Sequence, residues 1–334
     1  MSIESVLEGK GLVVESKQET KKEEVGVSKV IDKNELKSSA MIGQIEDIIS
    51  TIKILPGVSY SGGMNATFSV RGGDPSDFTA IYEGFTVKFP YHWNGMYSIF
   101  NPHLVDTLTF FTGILPAKVG SGSSSVMFLN YINPEKKFNF YYNSATSAQE
   151  VLFKIPVGLK NAGILLGARI TFLDLIMAIM KGYFESQDIF YTRSPYIYDV
   201  YFKWYWEITE RFKWTFNNSF CSDGIGMKQI ERYIKDDNGN IVKERDIIPT
   251  FDFKWYNYYV FAFNKFKILP TDKFFIEILT GYEYLTYSAI GSYFDNGKKA
   301  YFQDFKDFMT YLATLPDTDP QKIFFKDFLT TYQN

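Results

Sequence analysis

From about Phe138 onward the chain repeats with a period of two. Phe138, Phe140 and Tyr142 recur at alternate positions, and Val151, Phe153 and Ile155 do so against Glu150 and Lys154. Ile164, Leu166, Ala168, Ile170 and Phe172 oppose Gly167, Arg169 and Thr171, while Tyr198, Val200, Phe202, Trp204 and Trp206 oppose Asp199 and Lys203. Phe212, Trp214, Phe216 and Phe220 oppose Lys213, Thr215, Asn217 and Ser219. Phe251, Phe253, Trp255, Tyr259, Phe261 and Phe263 oppose Asp252 and Lys254, and Phe274, Ile276, Ile278, Tyr282 and Tyr284 oppose Glu277, Gly281 and Glu283. Alternation of this kind predicts strands with one apolar and one polar face. Several segments exceed the ~5–6 residues usual in a soluble sheet.

The connections alternate too. Pro156–Ala162, Glu207–Arg211 and Phe266–Asp272 are short; Thr171–Pro195 and Ser222–Thr250 are long, the second carrying the turn signal Asp237-Asn238-Gly239. Aromatic residues on one face and alternately short and long loops predict an antiparallel transmembrane β-barrel wall, of which about seven strands are present. A soluble β-sandwich would account poorly for the loop asymmetry. The expected lipid face includes Trp204, Trp214, Phe253 and Phe261, and the expected inner face Arg169, Lys203, Lys213, Glu277 and Glu283.

The first 130 residues have another texture. Residues 15–35 are rich in Lys and Glu, with a short strand possible at Val25–Val30. Ile45, Ile48, Ile49 and Ile52 fall at i, i+3, i+4 and i+7, which predicts a helix over Ile42–Leu55 ended by Pro56-Gly57. Short strands are predicted at Ala66–Val70, Phe78–Tyr82, Leu104–Thr112 and Val126–Leu129, with turns at Arg71-Gly72-Gly73-Asp74-Pro75 and Glu83-Gly84. Together these describe a small α+β domain.

Composition narrows the chemistry. Of 61 aromatic residues only 13 lie within residues 1–130, so two different halves are joined. A net charge of −3 supplies no basic field for nucleic acid. The single cysteine, Cys221, forms no intrachain disulfide and no cysteine zinc cluster. His92 and His103 are the only histidines, which leaves little for metal binding or acid–base work. The best apolar run, Ile170–Met180, contains Asp174 and is shorter than the ~18 residues a membrane helix needs. Gly120–Ser125 lacks the Lys-Ser/Thr of a phosphate loop, and Asp74, Asp77 and Glu83 read as loop carboxylates. No catalytic residue, cofactor or metal is expected. Pro90–Tyr97 is more informative, because it gathers aromatics, an imidazole and a thioether in one loop.

The run from Ile45 to Leu129 resembles the plug domain of TonB-dependent outer-membrane receptors. The matching pieces, in order, are Ile54-Leu55-Pro56-Gly57-Val58, Phe68-Ser69-Val70-Arg71-Gly72-Gly73, Ile81-Tyr82-Glu83-Gly84, Pro90-Tyr91-His92, Ser98-Ile99-Phe100-Asn101-Pro102, Gly113 and Pro116-Ala117-Lys118-Val119-Gly120. Glu83 stands where the family usually has Asp, so the charge is kept. A TonB box is not clear; Ile3–Leu7 or Leu12–Glu15 is a degenerate candidate.

The resemblance implies a plug inside a 22-stranded barrel in the outer membrane, and active uptake of a scarce nutrient such as a siderophore, cobalamin or oligosaccharide. It further implies a TonB-type energising partner at the N-terminal segment, contacting by strand addition. Residues 1–24 are then a linker, 25–131 the plug, 132–290 a partial wall and 291–334 an outer loop or tail. Twenty-two strands need ~200–240 residues before any loop, and 203 residues follow position 131. With no apolar signal block at the start, the expectation is a truncated receptor, or alternatively a non-transporting module that pairs its β region with another chain. Within the plug, Arg71, Gly72, Gly73, Glu83 and Gly84 are structural motif residues, and Arg71 is expected to pair with a carboxylate. Ligand contact is expected from Tyr60–Asn65 and Tyr91–Tyr97, through Asn65, Tyr91, His92, Trp93, Asn94 and Met96.

Overall fold

The computed structural model describes residues 27–31, 36, 46–60, 68–93, 97–113, 115–116, 119, 124–134, 137–145, 148–171, 174–186, 189–235, 241–295, 298–302 and 305–315. The N-terminal part contains β1 (Val27–Ile31), helix α1 (Ile48–Lys53), β2 (Val58–Tyr60), β3 (Phe68–Val70), β4 (Phe78–Tyr82), β5 (Phe85–Val87), β6 (Tyr91–His92), β7 (Tyr97–Ser98), β8 (Val105–Thr112) and β9 (Ser125–Tyr131). Five of these strands form one sheet in the order β1-β8-β9-β4-β5, with β4 and β9 parallel. Two hairpins, β2–β3 and β6–β7, stand beside it.

The helix is shorter than its periodicity suggested. Asp47 is extended, and its carboxylate accepts the Ser50 N–H at 2.9 Å, so the first helical residue is Ile48. Residues 42–45 lie outside the described residues. Ile48, Ile49 and Ile52 are fully buried against the sheet, among Val70, Ala80, Phe110 and Met127 of the same core. The glycine turns have a steric basis. Arg71 and Gly72 both adopt positive φ, at 52° and 78°, as do Glu83 and Gly84 at 53° and 96°. A Cβ on Gly73 would come within 2.6 Å of the Ser124 Cβ.

The remainder is a single antiparallel sheet of consecutive strands: β10 (Asn139–Ser144), β11 (Ala148–Pro156), β12 (Ala162–Thr171), β13 (Ile189–Thr209), β14 (Phe212–Lys235), β15 (Ile241–Thr271), β16 (Phe274–Asp295) and β17 (Lys298–Phe302). Helix α2 (Asp174–Ser186) lies between β12 and β13, and α3 (Phe305–Thr314) follows β17. The sheet is open, with β10 and β17 at its edges. No helix among the described residues is long and apolar enough to cross a membrane, which says nothing of strands.

Among the described residues this sheet has eight strands, in keeping with the expected number of about seven; the eighth is β17, which follows β16 after Asp295. Two expectations need correction. The first long connection holds helix α2 and the start of β13 at Ile189, and much of the second is strand, with β14 running to Lys235 and β15 beginning at Ile241. Main-chain pairing extends a hairpin without apolar alternation, which is why periodicity stopped short. Finally, Phe253 and Phe261 are buried on the inner side, not on the outer one. Phe261 and Phe263 pack on the plug: the Tyr82 ring lies 5.9 Å from Phe261, and Phe85 stacks flat on Phe263 at 4.8 Å. The plug presents aromatic surface there, so the apolar face of β15 turns inward. Elsewhere the faces are as expected: Tyr198, Val200, Phe220, Tyr282 and Tyr284 are exposed on the outside, while Arg169 and Lys203 are buried within.

Candidate functional site

The polar inner face of the wall meets the plug through a set of buried joints. At the first, the Glu83 turn reaches β13: Lys203 Nζ lies 2.6 Å from Glu83 Oε1 and donates to the Tyr131 carbonyl at 2.8 Å. Glu83 Oε1 also accepts the Tyr131 N–H at 3.1 Å. Tyr82 donates to Asn217 Oδ1 on β14 at 2.9 Å, and Tyr201 donates to the Ile99 carbonyl at 2.8 Å. A second group ties the 3₁₀ turn at Pro102–Leu104 to β11, where Glu150 accepts from the Asn101 amide and lies 3.0 Å from His103 Nδ1. On the far side the Lys88 N–H donates to Glu283 at 2.8 Å, and Tyr259 donates to the same oxygen.

The most densely charged joint is at His92. Its Nε2 lies 2.7 Å from Asp199 Oδ1 on β13, and its Nδ1 lies 3.0 Å from Asp223 Oδ2 on β14. Arg169 on β12 donates through Nε to Asp199 Oδ2 at 2.8 Å and through Nη2 to the Ser98 carbonyl at 2.7 Å. Asn257 on β15 donates to Asp223 Oδ1 at 2.9 Å and accepts from Trp255 Nε1 at 2.7 Å. All of these side chains are buried. Burial alone would lower the His92 pKa, but the charges and hydrogen bonds of Asp199 and Asp223 override it and hold it up at about 9. With a carboxylate oxygen within hydrogen-bond distance of each ring nitrogen, both nitrogens act as donors, the form of an imidazolium, and two cations face two carboxylates.

Cys221 brings its thiol within 4.8 Å of ligand atoms on His92 and Asp199. This trio does not suit a metal ion. Both ring nitrogens already face carboxylates, and the Arg169 guanidinium occupies the other Asp199 oxygen. A ligand set for a cation needs free lone pairs and no adjoining positive charge.

The expected ligand loop is built differently from the open loop implied by sequence. Tyr91 and His92 form β6, which pairs with Tyr97 and Ser98. Tyr91 is half-buried, its ring 6.2 Å from Phe78 and 5.8 Å from Phe89. Burial, then the Asp47 charge, pushes its phenol upward in pKa. His92 and Trp93 are buried, the latter at φ 47°. Asn65, Asn94 and Met96 lie outside the described residues. Arg71 also departs from expectation: it is exposed, forms no ion pair among the described residues, and lies over Gly113, where an added Cβ would meet its Nη1 at 2.7 Å. Its positive φ and the glycine beneath it direct the side chain along the plug surface instead of toward the wall.

In the sequence Asp199 stands out only as a polar member of a strand, and Asp223 falls within the long connection Ser222–Thr250. The signal that could have marked them is ionisable side chains on a face whose opposite side is apolar, since an unpartnered charge there would be costly.

No family model matches the sequence, and no curated protein matches it. Solved structures do share its fold. Pseudomonas aeruginosa FpvA bound to heterologous pyoverdines matches at TM-score 0.54 and 11% identity, covering 84% of this chain and 38% of that one. The copper transporter OprC matches at TM-score 0.50 and 11% identity, covering 84% of this chain and 49% of that one. The ferric enterobactin receptor PfeA of Pseudomonas aeruginosa matches at TM-score 0.44 and 12% identity, covering 86% and 45%. The chain spans less than half the length of each. Its fold is that of a TonB-dependent receptor's plug with part of the barrel wall, and these three neighbours are receptors and a transporter, not enzymes.

Proposed function

We propose that this chain serves outer-membrane uptake of a small nutrient, as the plug and the first strands of a TonB-dependent receptor. The observation that carries the reading is the seating of the plug: side chains of β11 through β16 reach it from the polar inner face, while Tyr198, Tyr282 and Tyr284 face outward. A sheet with a polar lining around a folded domain and an aromatic exterior suits a bilayer. The neighbours named for pyoverdines and for copper support a metal or its chelate as substrate, ahead of cobalamin or an oligosaccharide.

Within this reading the substrate meets the plug at residues 60–65 and 91–97. Trp93 supports the second of these, because its indole N–H is buried and has no hydrogen-bond partner among the described residues. The TonB-type partner would engage the segment before β1, where a strand can be added.

Deleting the gene in its source cell and measuring uptake of a ferric siderophore, a corrinoid and an oligosaccharide tests the proposal. Loss of one uptake activity, restored by the intact gene, is expected. Unchanged uptake of all three, with the protein in the outer-membrane fraction, would favour the non-transporting binding module.

A further inference from the structure

We propose that the β6–β7 hairpin is a separately releasable part of the plug, fastened to the wall by His92 acting as a charged clasp. This goes beyond the uptake reading and does not depend on it. Two observations carry it. The hairpin's charged side-chain hold on the wall runs through His92, with one nitrogen on Asp199 and the other on Asp223; its main chain is held at Ser98 by Arg169, and Tyr97 packs with Ala148 and Ile197 of the wall. The plug base uses other groups altogether, among them Glu83–Lys203, Tyr82–Asn217 and Asn101–Glu150.

The charges facing His92 explain why its proton matters. Asp199 on β13, Asp223 on β14 and Arg169 on β12 surround it, with the Cys221 thiol beside Asp199, and uncharged Asn257 and Trp255 behind Asp223. From the plug side, Asp47 accepts the Ser98 N–H at 2.6 Å, and Tyr97 lies on the pairing strand. With the proton present, two cations balance Asp199 and Asp223. Without it, two buried carboxylates share the single charge of Arg169, and a buried unmatched charge is strongly destabilising.

The sign follows from the elevated pKa. The clasp is fully made below the ordinary histidine value of 6.5 and is lost as pH rises through about 9. At neutral pH it stays closed, so opening in the cell requires a competing interaction or a pull rather than a pH change.

Cys221 is a built-in reporter. It is the only cysteine in the chain and is buried at the joint. The full chain in detergent is treated with a maleimide, and the Cys221 rate is divided by that of a free thiol at the same pH. Wild type should be protected near neutrality and lose protection with a midpoint near 9. His92→Gln should raise the ratio by about a hundredfold at pH 7, each pKa unit counting tenfold, while the plug's resistance to protease is unchanged. Asp223→Asn removes one carboxylate and should move the wild-type midpoint toward neutrality. Protection that persists to pH 10.5 or so in wild type, or His92→Gln protected like wild type, would overturn the clasp.

Discussion

Lys203 and Glu83 stand 120 residues apart in sequence, yet their charged groups meet at 2.6 Å inside the protein. Each also binds the main chain of Tyr131, Glu83 at its N–H and Lys203 at its carbonyl, so the pair brackets the last residue of β9. The structure thus explains why a carboxylate-glycine turn follows β4: positive φ at Glu83 and Gly84 aims the carboxylate outward from the plug at the wall.

Lys203→Met should therefore leave a buried carboxylate without its cation, at a cost of about 3–5 kcal/mol. Thermal unfolding in detergent would register the loss. Adding Glu83→Gln to the same protein should recover part of it, and simple additivity of the two substitutions would contradict a direct pair.

Ile49 is fully buried between α1 and the plug sheet. Ile49→Asp should unfold the plug, because an unpaired carboxylate in such a place costs several kcal/mol. Limited proteolysis should find residues 46–131 cleaved while the wall remains protected; an intact plug would refute the packing.

The two faces of the wall can be separated by labels. A spin label at Tyr284, exposed on β16, should be relaxed by lipid-soluble oxygen, whereas one at Phe263 should not. Phe263→Ala should cost about 3–5 kcal/mol, as removal of a buried aromatic does. Equal oxygen accessibility at both sites would show that the assigned faces are wrong.

Gly72 and Gly73 should respond differently to alanine. At Gly72 an added Cβ meets nothing within 4 Å, so only the left-handed backbone is strained, by about 1 kcal/mol. At Gly73 the Cβ collides with Ser124, and the turn must move. Melting of the Gly73→Ala protein well below that of Gly72→Ala is the expected order.

Much of this architecture was legible from alternation alone, because a strand with one wet and one apolar side must place them at every second residue. Tyr198 to Trp206 and Phe274 to Tyr284 were assigned their faces correctly on that basis. Phe253 and Phe261 were not. Sequence gives the polarity of a face but not what covers it, and Tyr82 and Phe85 of the plug offered β15 a second apolar environment. His92 failed for a related reason. As a lone imidazole among aromatics it resembled a ligand contact, and its partners lie 107 and 131 residues away. Nothing local to the loop could indicate that both nitrogens were engaged.

The order of contacts along the chain bears on how the protein is assembled. Every wall strand named in a plug contact, from β11 to β16, comes after the plug and follows it without interruption. Glu150 is within 50 residues of Asn101, Lys203 120 from Glu83, and Glu283 195 from Lys88. A growing sheet can thus curl around an already folded template, adding one hairpin at a time, before its edges β10 and β17 find partners. Such a route would shield the inward charges of Arg169, Asp199 and Lys203 as each strand arrives, so that none has to enter a lipid environment bare.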